Sequence, residues 1–221
     1  MSNETIDVEI WSDIACPWCY IGKTRFSAAL EQFPDKDRVR VTWRAYQLAP
    51  DTPVGAGRRE LDALVAGKGM QPEQVRQMFE QVAGNAASAG LQLNFDTAIA
   101  ANTFDAHRLI HLAGDRRDAV VDALFRAHFT EGKAVDDREV LLDIAESAGL
   151  DRDAVNAQLD SEAAVADVRA DLQAARDLQV TGVPFFVVDR RLAVSGAQPE
   201  DVFRQLLEQG AQLPEQGSPA E

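Results

Sequence analysis

No stretch of the sequence approaches the run of about 18 apolar residues that a membrane-spanning helix needs. The first ten residues carry Glu4, Asp7 and Glu9 in place of a basic start followed by an apolar segment. Those two absences lead to the expectation of a cytoplasmic protein with no membrane partner and no secretory leader. Basic residues are also scarce, 22 Lys and Arg against 36 Asp and Glu, for a formal net charge of -14 at pH 7. A field of that sign repels phosphate backbones and argues against a nucleic-acid partner. Cysteine is rarer still. With only two in 221 residues, a disulfide-stapled framework is excluded, and in a reducing compartment a close pair points to catalysis or metal binding. Internal repeats and low-complexity segments are missing as well.

What is present is a 46% hydrophobic fraction, enough for a sizeable core in one unit or in a modest domain carrying an insertion. Residues 5–11 (TIDVEIW) alternate with the period of a strand, and Ser12-Asp13 breaks that pattern. Residues 17–33 read as a helix, with Pro17 in the first turn and Phe26, Leu30 and Phe33 at helical spacing. Residues 38–48 alternate again, so the opening is β-α-β, which a right-handed crossover closes into two parallel neighbours. Residues 58–178 are rich in Ala, Leu, Gln, Asp, Glu and Arg with helical periodicity, broken near Gly67-Lys68-Gly69, Gly84, Gly90, Gly114, Gly132 and Gly149. Strand character returns in residues 184–188 (PFFVV) and 191–195, followed by a helix over 199–209 and a loose tail from Ala211.

This order is that of an α/β thioredoxin-like fold, β-α-β and β-β-α halves with a helical domain between them. The expected divisions are residues 1–57 and 179–211 for the thioredoxin-like domain, 58–178 for the helical insertion and 212–221 for a flexible tail.

Cys16-Pro17-Trp18-Cys19 falls at the first strand-to-helix junction. Thiol exchange needs a thiolate, and a helix N-terminus favours one through unpaired N–H groups and the macrodipole. Cys16 is therefore the candidate nucleophile and Cys19, a turn further in, the resolving thiol. The competing reading is half of a zinc site, for which His107, His111 and His128 are the remaining ligands; His107 and His111 stand four apart on an expected helix. A second signal is Thr181-Gly182-Val183-Pro184, where proline opens a strand. A cis bond there would present the backbone of Val183 to an extended peptide or thiol substrate. Asp13 and Lys23 could tune the pair, Asp13 raising a thiol pKa by like charge and Lys23 lowering it by attraction; the favoured expectation is that Asp13 caps the helix and Lys23 lies in solvent. Trp11, Trp18 and Phe185 are candidates for an apolar rim, with Trp11 also suited to the core.

Together SDIACPWCYIGK (12–23), ANTFDAHRLIHLA (101–113), VTGVPFFVV (180–188) and VSGAQ (194–198) make the chain resemble the DsbA family of thioredoxin-like oxidoreductases, and most closely its FrnE-like branch. The resemblance implies a cis bond before Pro184 facing Cys16, and dithiol exchange with protein or small-molecule thiols and disulfides. It adds Pro184 to the two cysteines as a catalytic position. Pro17, Trp18, Val183, Asn102 and His107 become candidate substrate-binding residues, although a helix residue tucked against the core serves His107 equally well. Trp18 stands where the family's periplasmic oxidants carry His, and the second cysteine pair of some relatives is missing. No bound cofactor or metal is implied; recycling falls to an external thiol such as glutathione.

Two other functions compete with exchange. The same branch resembles 2-hydroxychromene-2-carboxylate isomerases and kappa-class glutathione transferases, which usually place Ser at the position of Cys16. A chaperone-like binding module around Pro184 is the other alternative. The helical insertion offers a surface for a homodimer.

Overall fold

The computed structural model describes residues 5–213. The chain runs β1 (Ile6–Ser12), α1 (Pro17–Glu31), β2 (Val39–Ala45), then seven helices in succession. These are α2 (Glu60–Lys68), α3 (Pro72–Ser88), α4 (Phe104–Leu112), α5 (Arg117–Phe129), α6 (Arg138–Ser147), α7 (Arg152–Asp160) and α8 (Val165–Asp177). It ends with β3 (Phe185–Val188), β4 (Leu192–Ser195) and α9 (Glu200–Ala211). The sheet order is β2-β1-β3-β4, with β1 and β2 parallel and the other pairs antiparallel. Both halves of the α/β thioredoxin-like pattern are thus joined side by side through β1 and β3. No helix among the described residues is long and apolar enough to cross a membrane.

Alternation along β1 explains its central place. Ile6, Val8 and Ile10 turn to the face covered by α1 and α9 and are all buried. There Phe26 of α1, Phe186 of β3 and Phe203 of α9 meet with ring centroids 4.5–5.7 Å apart. Burying each such ring contributes on the order of 1.5–3 kcal/mol. Asp7 and Glu9 turn to the other face, where Glu9 takes Arg44 at 2.7 Å and Arg190 at 2.8 Å. Trp11 on that same face is wholly buried, and its Nε1–H donates to the Asp171 carbonyl of α8. It belongs to the core, packed with Val180 and Val187. Asp171 also takes Arg44 at 2.9 Å and the backbone N–H of Ala45 at 3.0 Å, fastening α8 to β2.

The inserted helices share the sheet's core. Ile14, Cys19 and Tyr20 are continuous with Leu109, Leu124, Phe125 and Leu141, and Tyr20 stacks on Phe125 at 5.0 Å. Helix breaks fall at Gly69, Gly90, Gly114, Gly132 and Gly149, each at positive φ. Gly84 is not a break: it lies inside α3. A lone helical glycine costs about 1 kcal/mol against alanine, and burial of Val75, Phe79 and Val82 outweighs that. β2 stops at Ala45, earlier than the alternation suggests, because the next residues turn back toward β1. Tyr46 N–H donates to Ser12 O and Leu48 N–H to Asp13 Oδ2. Ala211 closes α9, and most of the expected tail, 214–221, lies outside the described residues.

One glycine sets how closely the two halves approach. A Cβ on Gly22 of α1 would lie 2.8 Å from Pro184 Cγ and 3.4 Å from Ala197 Cα. Gly22→Ala is therefore expected to lose about 1–3 kcal/mol to overpacking, against a gain of at most about 1 kcal/mol in helix propensity. Urea denaturation reads the difference; a variant as stable as the parent would show that the contact has room to yield.

Candidate functional site

The site starts where β1 ends. Residues 13–15 form a turn closed by the Cys16 N–H donating to Asp13 O at 3.0 Å. Cys16 is the N-cap of α1, in extended conformation, and its carbonyl receives the N–H groups of Cys19 and Tyr20. Pro17 fits the first helical position because its φ is preset and no N–H is needed there. Cys16 and Cys19 are free thiols, both buried. Across from them the Val183–Pro184 bond is cis, and Cys16 Sγ lies 3.6 Å from the Val183 carbonyl oxygen, to which it donates. The fold thus brings Cys16, Cys19, Val183 and Pro184 together from opposite ends of the chain. Pro17 and Trp18 remain half-buried at the rim, Trp18 resting against Ile21 and Val82.

The two thiols differ in setting. Burial pushes the Cys19 thiol well up, the adjoining Cys16 sulphur adds to that, and the Asp13 backbone and Ser12 only partly oppose it. Cys19 is thus the thiol that burial holds protonated. Ser12 Oγ, beside it, has no partner of good hydrogen-bond geometry.

Asp13 does not cap α1. The helix has no side-chain cap, and Asp13 is 1% exposed. Its Oδ1 takes the Ala15 N–H at 3.3 Å and its Oδ2 the Leu48 N–H at 2.7 Å. Burial alone would raise its pKa; bonds from His107, the Leu48 N–H and Thr103 together hold the carboxyl below the ordinary range. Lys23 does not lie in solvent either. It is 8% exposed and paired with Asp122 of α5, which ties α1 to the inserted helices.

The start of α4 organises the rim. Asn102 Nδ2 donates to Pro50 O at 3.1 Å and Thr52 O at 2.9 Å, while its Oδ1 takes Phe104 N–H and Gln47 Nε2. The Asn102 N–H donates to Asp136 Oδ2, which also takes the Gly55 N–H. Its carboxamide is therefore occupied in holding the loop after β2. His107 is 3% exposed, with Nε2 2.9 Å from Tyr46 O and 3.5 Å from Asp13 Oδ1. His111 goes elsewhere, to Asp171 at 2.7 Å.

Two groups near Asp13, Glu60 and Asp136, escaped the sequence reading, and His128 entered it only as a possible zinc ligand. Burial, with Asp13's negative charge next, raises Glu60 of α2 to about 7. Asp136 holds the loop, as above. His128 of α5 is fully buried with no partner on either ring nitrogen; burial lowers it to about 4, partly opposed by Asp13 and Asp136. Nothing in their spacing marks them, since their neighbours come from other elements.

A buried imidazole of this kind contributes stability above its unfolded pKa near 6.5, and loses it as pH falls toward about 4. Glu60 acts oppositely: its contribution is present below about 4.5 and lost as pH rises through about 7. We expect His128→Leu to match or exceed the parent at pH 7, by up to about 1–2 kcal/mol, because it removes an unsatisfied buried polar group. Its advantage should widen as pH drops from 6.5 to 4. Denaturation curves across that range test this, and a shrinking advantage would mean that the ring is hydrogen-bonded.

Comparison with known proteins agrees with this geometry. Residues 7–208 match the model of the DSBA-like thioredoxin domain. A probable DsbA oxidoreductase from Streptomyces coelicolor is 42% identical, superposes with a TM-score of 0.88, and is matched over 98% of this chain and 93% of that one. The uncharacterized protein YwbO of Bacillus subtilis is 25% identical over 92% of this chain and 96% of its own length. At the level of fold alone, the chain is similar to a 2-hydroxychromene-2-carboxylate isomerase (20% identity, TM-score 0.69, 95% and 100% covered). It is similar in the same sense to the cytosolic disulfide reductase DsbM of Pseudomonas aeruginosa (21%, 0.66, 94% and 100%), whose structure with GSH is also matched. With a dithiol turn at the head of α1, a cis-proline loop facing it and a family match over nearly the whole length, the chain belongs to the DSBA-like thioredoxin domain family.

Proposed function

We propose that this protein is a cytoplasmic thiol–disulfide oxidoreductase with Cys16 as nucleophile and Cys19 as resolving thiol, acting on protein or small-molecule thiols and disulfides. The observation that carries the reading is the placement of Cys16 Sγ at the N-cap of α1, 3.6 Å from the Val183 carbonyl, with Cys19 buried one turn behind. In the reducing direction, the Cys16 thiolate attacks one sulphur of a substrate disulfide and the other leaves as a thiolate. Cys19, losing its proton, then attacks Cys16, and the second substrate thiol departs. Two electrons pass to the substrate and the Cys16–Cys19 disulfide remains. Glutathione is the proposed recycling thiol: two molecules return the pair to dithiol and leave as glutathione disulfide. Pro17, Trp18 and Val183 are the proposed substrate-contacting residues, with Pro184 shaping the approach.

The experiment is a redox titration of the purified protein in glutathione buffers, quenched by alkylation and read by mass. The expected result is a reversible two-proton mass difference confined to Cys16 and Cys19. Cys16→Ser should reduce exchange to background, and Cys19→Ser should accumulate mixed disulfides. Persistent dithiol with glutathione bound unoxidised would replace this reading by a glutathione-dependent isomerase or transferase; one similar fold is that of a 2-hydroxychromene-2-carboxylate isomerase. A Cys16→Ser protein that still protected unfolded clients, from a parent without redox cycling, would favour a binding module.

A further inference from the structure

The two atoms facing His107 Nε2 are both acceptors, Tyr46 O at 2.9 Å and Asp13 Oδ1 at 3.5 Å. Nε2 therefore carries hydrogen and donates it. Asp13 in turn is bonded to the redox turn twice, its carbonyl taking the Cys16 N–H and its carboxylate the Ala15 N–H. The three side chains are almost sealed from water, at 3%, 1% and 5% exposure for His107, Asp13 and Cys16. This arrangement contains a conflict. Asp13 shapes the turn that presents the nucleophile, yet a buried carboxylate three residues away opposes a negative charge on its sulphur.

We propose that His107 is a positioning residue for thiol exchange that acts through Asp13, drawing the buried carboxylate's charge toward α4 and away from Cys16 while the turn stays closed. The role rests on the exchange reading above. Other groups around Asp13 do not supply it. Glu60 on α2 is itself acidic, and Asp136, before α6, carries the same sign. His128 on α5 forms no bond. Thr103, at the head of α4, gives a neutral hydroxyl bond, and the Ala15 and Leu48 N–H groups are fixed backbone. Among the described residues, His107 is the side chain that brings a proton donor to both the carboxylate and the loop after β2.

The test is the pH profile of iodoacetamide alkylation in a Cys19→Ser background, where Cys16 is the single thiol. His107→Ala should move the midpoint up by about one pH unit, a roughly tenfold loss of reactive thiolate below it. His107→Gln, whose amide still donates, should restore most of the reactivity. Asp13→Asn should move the midpoint down, and adding His107→Ala to it should then change nothing. An unmoved or lowered midpoint in His107→Ala, or an equal rise in the Asp13→Asn background, overturns the proposal. Should His107→Ala fail to fold, Asp13→Asn alone decides, because a midpoint that does not fall leaves no charge for His107 to offset. Alkylation needs no disulfide exchange. Failure of the parent to cycle in glutathione buffers would therefore overturn the oxidoreductase reading and leave these profiles standing.

Discussion

The Asp13 carboxylate is the constraint on which the site depends. It is sealed from solvent, and a buried ion deprived of its partners costs roughly 3–5 kcal/mol, so the chain must deliver donors to it from wherever they lie. They come from three places. The turn into α1 supplies the Ala15 N–H, the segment leaving β2 supplies the Leu48 N–H, and the start of α4 supplies His107 and Thr103. Those three segments meet at Asp13, beside the turn that carries Cys16. β2 ends where it does because Leu48 must turn to reach this oxygen, and α4 is held against the redox turn by the same charge.

A second closure faces the first. β3 pairs antiparallel with β1, which brings the segment around Pro184 back onto the head of α1 after seven intervening helices. Gly22 lets the Pro184 ring sit directly on the helix, and the Val183 carbonyl then meets Cys16 Sγ. The mutual contacts of Phe26, Phe186 and Phe203, all three buried, support this approach from beneath. Cys16 is therefore framed by two sets of long-range contacts, one around the Asp13 carboxylate and one steric.

What the sequence discloses and what it hides divide along the range of the interaction. β1, α1 and β3 follow from local patterning within a few residues, and the family resemblance then puts Cys16-Pro17-Trp18-Cys19 opposite Pro184. Lys23 and Asp13 were misread because a charged residue is normally exposed, and its burial is licensed only by a partner elsewhere: Asp122 for Lys23, Leu48 and His107 for Asp13. Gly84 was misread for the converse reason, a local breaker overruled by packing. Asn102 and His107 were found through resemblance, which marks a position without saying what its atoms touch. Their bonds to Pro50, Thr52 and Tyr46 exist only once the loop after β2 has folded over α4.

The acidic groups Asp13 and Glu60 also act on one another. Asp13 is held ionised by its donors, and that charge, after burial, is what lifts Glu60 to about 7. Two carboxylates close together in a dry site do not both ionise freely, so the better-bonded one keeps the charge and its neighbour retains a proton. His128, lowered to about 4, adds no positive charge at neutral pH. Around neutrality the region behind Cys16 thus carries the whole charge of Asp13 and only part of a second on Glu60, in a protein whose net charge is already -14. The exchange proposed above needs a thiolate, which fewer buried anions favour, and the donors on Asp13 decide which of the two carboxylates holds the charge.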